Sequence, residues 1–415
     1  MKKLNTKLID RVLKYSAKIQ QNSYIKGISN GLAALMPLII AGAMFTIIDA
    51  MGIPVYQSFL VNIGIKPFLR YPNLVTNGLL SVYASFSISY VLAKEHKIDG
   101  FSTEIISIMA FVLLFPLDTN ADGVDMIPLH YLGAEGMFTA IIVAILVERI
   151  IFFLNKHQFI IKMPESVPDL IGKSFAALVP SFVVIFVFLA IKIAFGATQM
   201  ETFPNFVTLI IQTPIKSLGE SWIALVFIML LVNLLWFFGI HGHLVALSVM
   251  APVYMQMDLE NLNAFQAKEV LPNIIGNTFI YVYASGATVL FGLVFWMLRA
   301  HAKRYKTLGK LALVPMLLGI GEPLAFGVPY VMNFVLFIPV VFCSSINSLL
   351  AYFATVLNIL PRLNGINTPL PVGGNGFLAG GWRVMVFQIL LCALNVLIWM
   401  PFVKKLDHME LEEEE

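Results

Sequence analysis

Residues 311–330 read LALVPMLLGIGEPLAFGVPY. The stretch is long and apolar enough to enter a membrane, yet Pro315, Pro323 and Pro329 interrupt it and Glu322 sits near its middle. Each proline removes an amide donor, and a carboxylate at membrane depth is costly. Such a segment does not cross hydrocarbon as a plain helix. It reads as a re-entrant hairpin, and because its free backbone groups cannot face lipid, it must line a cavity.

The rest of the chain supports that setting. Of 415 residues 59% are hydrophobic, only 12% are charged and 33 are Phe, giving a mean hydropathy of +0.84. The charge share is about half that of an ordinary soluble protein, which excludes a water-soluble enzyme, a disordered chain and a collagen. Runs long enough for helical spans lie near 28–51, 73–93, 101–117, 131–154, 174–195, 221–239, 243–257, 271–298, 331–357 and 382–403. They are continuously apolar rather than alternating, so a β-barrel is excluded. The fold expected is an all-α integral membrane protein of about ten transmembrane helices with re-entrant hairpin loops. Residues 1–27 are polar and basic, with Leu4, Leu8, Val12, Tyr15 and Ile19 at helical spacing. They read as an amphipathic cytoplasmic helix on the membrane surface rather than a signal peptide.

Charge placement gives the orientation. Twenty of the 27 Lys and Arg fall in 1–27, 94–100, 149–173, 299–310 and at Lys404–Lys405. The intervening loops near 52–72, 118–130, 196–220 and 258–270 hold Lys66, Arg70, Lys216 and Lys268 only. The positive-inside rule puts both termini in the cytoplasm. Eight spans between 28 and 298 return the chain to that side, so an even number of crossings must follow Lys310. Of the three apolar stretches there, the proline-broken 311–330 is the one that does not span. A second partly inserted loop is expected at 360–381, which holds six glycines and three prolines.

Polar residues at membrane depth carry the functional signal. Trp236-Phe237-Phe238-Gly239-Ile240-His241-Gly242-His243 sets two imidazoles beside a helix break. Intramembrane ionisable groups face a wet cavity or one another, and broken helices near the midplane are where transporters bind substrate. His241, His243 and Glu322 are therefore the leading site residues. Asn277, Asn375, Asn333 and Asn347 are further hydrogen-bonding candidates, although asparagine also bridges helices. Trp382 and Phe377 could stack on a pyranose ring, while Trp382 serves equally as an interfacial anchor. Glu148-Arg149 reads as a local pair or a snorkelling end, Lys192 as a snorkelling lysine, and Gly27/Gly31 as a small-residue packing face. The acidic end from Glu410 reads as a solvated tail. Cys343 and Cys392 lie in apolar runs and form neither a disulfide framework nor a metal site. No phosphate loop, nucleophile elbow or dinucleotide fingerprint is present. No metal, cofactor or nucleic-acid partner is expected.

The Gly-Ile-His-Gly segment at 239–242 and Gly-Ile-Gly-Glu-Pro-Leu-Ala-Phe-Gly-Val-Pro at 319–329 resemble the signature stretches of the lactose/cellobiose-type (diacetylchitobiose) enzyme IIC permeases of the phosphoenolpyruvate-dependent sugar phosphotransferase system, the PTS. The resemblance extends over nearly the whole chain. It implies a homodimer in the bacterial inner membrane, with residues 28–200 forming the dimer-interface domain and 201–405 the sugar-binding domain, followed by an acidic tail at 406–415. It places the sugar-contacting histidine on His241 and the essential glutamate on Glu322. It further implies inward carriage of a β-linked disaccharide such as cellobiose, lactose or diacetylchitobiose. The sugar's 6-hydroxyl is then phosphorylated from a phosphocysteine on a separate IIB protein, itself charged by IIA. The chain would thus be one component of a group-translocating phosphotransferase. The physics is compatible: a carboxylate can accept from a sugar hydroxyl and hold it in line, and a histidine can donate to a sugar oxygen.

A proton-coupled sugar symporter is the rival reading, since it too would use an intramembrane Glu and His as a relay. It delivers free sugar, whereas group translocation delivers sugar phosphate. A membrane-embedded glycosyltransferase would need an acidic diphosphate-binding motif, which is absent. The charge split also yields a topology test. Lys303→Cys, in a background without Cys343 and Cys392, is expected to react with a membrane-impermeant maleimide only after intact cells are permeabilised. Labelling before permeabilisation would reverse the orientation.

Overall fold

The computed structural model describes residues 21–50, 54–119, 123–164, 167–239, 242–243, 248–319, 321, 324, 328, 333–368 and 370–414. Among these it is nearly all helix, the exception being a two-residue β pairing of Asp118–Thr119 with Asp125–Met126. Seven helices are long and apolar enough to cross a membrane, with an eighth if Phe203–Gly219 and Trp222–Phe237 count as one broken span. The chain is an all-helical membrane protein. It divides into two compact bodies, one within Lys18–Ser217 and the other within Leu218–Glu415.

The first body contains α1 (Ser23–Ala33), α2 (Met36–Ala50), α3 (Leu80–Glu95), α4 (Gly100–Leu113), α5 (Met137–Lys156) and α6 (Leu178–Gly196). Its centre is α3, which packs on α1, α4 and α5. Leu80, Ala84, Ile88 and Leu92 repeat every fourth residue and are fully buried, as are Ser81, Ser85 and Ser89. Small side chains let the helices approach closely, and their hydroxyls bond across the contacts. Ser85 Oγ lies 2.8 Å from Ser107 Oγ on α4, and Ser87 Oγ donates to the Gly31 carbonyl on α1 at 2.9 Å. A side chain on Gly31 would meet the Ile88 backbone at 2.8 Å, so Gly27/Gly31 is a packing face, as its spacing predicts.

Two charged residues behave differently from their sequence reading. Glu148 forms no local pair with Arg149. It is fully buried and bonds His96 Nδ1 at 2.7 Å, while His96 Nε2 lies 3.0 Å from Ser23 Oγ. Adjacent helical positions point about 100° apart, so Glu148 faces α3 while the Arg149 guanidinium lies over the Tyr24 and Phe152 rings. Lys192 does not snorkel to solvent: its Nζ donates to the Phe115 carbonyl at 2.7 Å, just past the end of α4.

The second body contains α7 (Trp222–Phe237), α8 (Ser248–Ala267), a broken helix over 277–297 ending in α9 (Phe291–Met297), α10 (Lys303–Leu317), α11 (Phe337–Val356), α12 (Gly374–Gly380) and α13 (Trp382–Glu414). The run 243–257 predicts a span; of it, α8 covers residues from Ser248 and continues to Ala267, with Gln256, Asp258 and Asn261 buried, while 244–247 lie outside the described residues. The acidic end is also more than a solvated tail. Helix α13 continues to Glu414, and Glu410 accepts from Arg304 at 3.0 Å and from the Tyr305 hydroxyl at 2.8 Å. Opposite charge on α10 gives those carboxylates a reason to stay helical.

Helices α9 and α13 cross where Gly292 lies against the Asn395 carbonyl and the Trp399 ring. The indole of Trp399 donates to the Val289 carbonyl at 2.9 Å, and that of Trp296 to the Val396 carbonyl at 2.8 Å. Gly292→Ala forces a methyl into this crossing. It is expected to destabilise the detergent-purified protein by about 1–3 kcal/mol, read as a lower thermal unfolding midpoint. An unchanged midpoint would show that the crossing yields freely.

Candidate functional site

The break in the 277–297 helix organises the candidate site. Its first turn, Asn277–Phe279, passes into a wider i→i+5 turn over Ile280–Ala284. Ser285 is extended, with φ −74° and ψ 167°, and the helix restarts at Gly286–Val289. A break of this kind withdraws helical partners from carbonyls that water cannot reach. Side chains from three elements replace them. Gln388 Nε2 and Thr288 Oγ1 donate to the Val282 carbonyl at 2.9 and 2.8 Å, and Asn347 Nδ2 donates to the Tyr283 carbonyl at 3.1 Å. Asn395 on α13 in turn donates to Asn347 Oδ1 at 3.2 Å.

Gln388 also reaches the loop before α12, accepting from Gly373 N through Oε1 at 2.9 Å. One amide therefore joins the broken helix to the glycine-rich stretch 360–381. The loop is further fixed by Asn364, which donates to the Leu378 carbonyl at 2.8 Å and accepts from Ile366 N at 3.0 Å. Arg362 donates to the Leu271 and Pro272 carbonyls, both at 2.6 Å.

Asp258 anchors the other end. Its carboxylate accepts from Thr278 N at 2.8 Å and so caps the start of the broken helix. Gly276 lies against the same carboxylate, and Gly365, at φ +80°, lies against the Asp258 carbonyl. Only glycine takes that conformation without strain while leaving room for the backbone opposite. Asn261 completes the clamp by donating to the Asn273 and Leu363 carbonyls, each at 2.8 Å.

Several buried polar atoms around this framework have no hydrogen-bond partner among the described residues. Along the break and its facing loop they are Thr278 Oγ1, Tyr283 OH, Ser285 Oγ, Thr368 Oγ1 and Asn375 Nδ2, and nearby Tyr254 OH, Asn273 Oδ1, Ser345 Oγ and Asn395 Oδ1 are open as well. Buried polar groups are nearly always paired, so a run of open donors and acceptors along a helix break and its facing loop marks a place for a polar ligand or water.

The sequence-derived candidates divide as follows. His241 and Glu322 lie outside the described residues. The flanks of Glu322 do not: Gly319, at φ +89°, faces the Tyr281 hydroxyl, and a side chain on Gly286 would stand 3.9 Å from Gly319 O and Gly321 Cα. Gly319 and Gly321 therefore border the helix break. His243 accepts from Trp236 Nε1 through Nδ1 at 3.1 Å. Phe237, just before the histidine segment, shares one apolar cluster with Leu324, Val328, Val289 and Leu290. Asn277 opens the broken helix, and Asn375 is buried with Oδ1 accepting from Gly376 N at 2.7 Å. Trp382 is set apart from these: it is 63% exposed with its ring near the Arg383 guanidinium, which suits the interfacial-anchor reading. Asn347 and Asn333 serve structure, the latter accepting from Val335 N at 2.9 Å.

Asp258, Gln388, Thr288 and Ser285 were not among the sequence-derived candidates. Asp258 falls where a loop is expected, near 258–270, and Gln388 is a single amide inside an apolar run. An ionisable or amide residue flanked by apolar positions was the available signal. Asp258→Ala is expected to cost about 1–3 kcal/mol of stability because it uncaps the broken helix, with Asp258→Asn recovering part of that through its remaining carbonyl oxygen. Equal unfolding midpoints for all three proteins would remove the cap from the account.

An all-helical membrane body built on an interrupted span, with unpaired polar atoms along the interruption, defines a membrane transporter. Residues 29–344 match the family model for the phosphotransferase system EIIC component. The lichenan permease IIC component of Bacillus subtilis (strain 168) is 34% identical over 100% of this chain and 96% of its own. The cellobiose-specific EIIC component of Geobacillus stearothermophilus is 31% identical over 98% and 95%. The crystal structure of ChbC, the IIC component of the N,N'-diacetylchitobiose-specific phosphotransferase system, superposes with a TM-score of 0.93 at 32% identity, covering 98% of this chain and 99% of that one. The chain belongs to the phosphotransferase system EIIC family and is a multi-span permease component of the bacterial inner membrane.

Proposed function

We propose that this permease carries a β-linked disaccharide of the cellobiose class inward through its second body and presents the sugar's 6-hydroxyl to a separate IIB protein. The observation carrying this reading is the set of open polar atoms along Thr278–Ser285 and the facing residues Thr368 and Asn375. A polyhydroxylated ligand offers donors and acceptors at the matching density. The relatives named for lichenan, cellobiose and diacetylchitobiose favour the same substrate class. In this reading His241, His243, Asn277 and Asn375 contact the sugar, and Glu322 accepts from the hydroxyl that receives the phosphoryl group. Trp382 belongs to the site only if its ring approaches a bound pyranose. IIB supplies the phosphoryl group and is recharged by IIA. The protein works as a homodimer joined through its first body, with both termini in the cytoplasm.

The product separates this reading from the symporter: uptake by right-side-out vesicles loaded with phosphorylated IIB that yields free sugar would establish the symporter instead. Glu322→Gln keeps the side-chain shape and removes the charge, while His241→Ala removes the ring. Each is expected to weaken disaccharide binding to purified protein by about 1–3 kcal/mol, the cost of leaving a buried polar partner unmet. The glutamate change is also expected to abolish sugar phosphorylation by IIB. Wild-type affinity in both folded variants would remove His241 and Glu322 from the sugar contacts.

A further inference from the structure

A second polar feature lies away from the helix break, where α9 and α13 leave the hydrocarbon. A cavity of about 280 Å³ is lined by Trp296, Arg299, His301, Lys404 and His408, with Val403 and Leu411 on its apolar side. We propose that this cavity binds the phosphate of an anionic phospholipid.

Three observations converge on that occupant. The first is charge. Arg299 and Lys404 are exposed and enter no ion pair among the described residues. The one carboxylate of the lining, Asp407, is already committed. Its oxygens accept from the amides of His301 at 2.9 Å and Ala302 at 2.9 Å, and His301 Nδ1 lies 3.2 Å away. The neighbouring Glu410 is taken up by Arg304 and Tyr305, and His408 bonds Glu412 at 3.3 Å. Asp407 keeps its negative charge but directs it at these amides, and the two cations leave the lining with an excess of positive charge to meet an anion.

The second observation is rigidity. The Arg299 guanidinium lies 3.8 Å from the centre of the Phe295 ring, and Lys404 Nζ lies 5.0 Å from that of Trp296. Trp296 is itself held by its bond to the Val396 carbonyl. Both cations are thus held on aromatic platforms instead of ranging freely, which lowers the entropy lost on binding.

The third observation chooses a lipid over a soluble phosphate. Leu390 and Leu397 on α13 are 59% and 65% exposed. Lys404 follows at the same seven-residue spacing, so it stands on the same face of the helix. An acyl chain lying along this apolar stripe has its headgroup delivered to Lys404 and Arg299, with Trp296 at the depth aromatic residues prefer. Basic residues just beyond a span are attracted to anionic headgroups by the same logic.

The test uses full-length protein purified in a mild detergent and compares retention of phosphatidylglycerol and phosphatidylcholine by native mass spectrometry. Wild-type protein is expected to retain phosphatidylglycerol selectively. The Arg299→Gln/Lys404→Gln double variant is expected to lose affinity for it on the order of tenfold to thirtyfold, as removal of two surface cations implies. Phosphatidylcholine retention should not change, and millimolar inorganic phosphate should not displace the lipid. Lys404→Gln alone guards against misfolding of the double variant and should show part of the loss. Lys405→Gln, whose residue lies outside the cavity, should show none. Equal phosphatidylglycerol retention in wild type and the folded variants overturns the site. Ready displacement by inorganic phosphate overturns its assignment to a lipid.

Discussion

The Val282 and Tyr283 carbonyls carry much of the second body's organisation. Where the helix stops at Ser285 they have no helical partner, and hydrocarbon offers no water to replace one. Gln388, Thr288 and Asn347 meet them, and each of these residues is thereby tied to the break. Helices α11 and α13 are positioned by that need, since the amides of Asn347 and Gln388 must arrive within bonding distance. The contact between Asn395 and Asn347 and the glycine crossing at Gly292 follow from the same approach of α13. A span could have been left continuous at no such cost. Beside the interruption lie the buried Ser285 and Tyr283 hydroxyls, which have no partner among the described residues and on which the proposed sugar site rests.

The two bodies solve membrane packing in different ways. In the first, serine and glycine allow close helix contacts, and hydroxyls link neighbouring helices at Ser85–Ser107 and Ser87–Gly31. The buried ionisable pair joins Glu148 Oε1 to His96, whose other ring nitrogen reaches Ser23, while Glu148 Oε2 has no partner among the described residues. In the second, amide side chains bridge longer separations in sequence: Asn261 to Leu363 and Gln388 to Val282 each span about a hundred residues. Amides both donate and accept, so one residue can hold two elements in register. Such a frame can surround a polar cavity without collapsing onto it, whereas a serine–glycine face leaves no room for one. The proposed transport path through the second body rests on this contrast.

Much of this was legible in the residues alone. Composition and run length decide a helical membrane protein, because 12% charge cannot cover a soluble surface and the apolar runs have no two-residue alternation. The Gly-Glu-Pro pattern within 319–329 and the histidines at 241 and 243 marked where chemistry should sit, because ionisable groups and helix breakers are costly at membrane depth and persist only with a reason. The tertiary structure decided which polar residues serve the frame and which stay open. Asn347 and Asn375 look alike in sequence, yet one is spent on the Tyr283 carbonyl while the other keeps an unpartnered amide nitrogen. Asp258 read as a loop residue because its partners, Thr278 N and the Gly365 backbone, are 20 and 107 positions away. Local periodicity reports which face of a helix is apolar. Whether a buried polar atom is satisfied depends on groups brought to it from distant parts of the chain, and only the folded arrangement settles that.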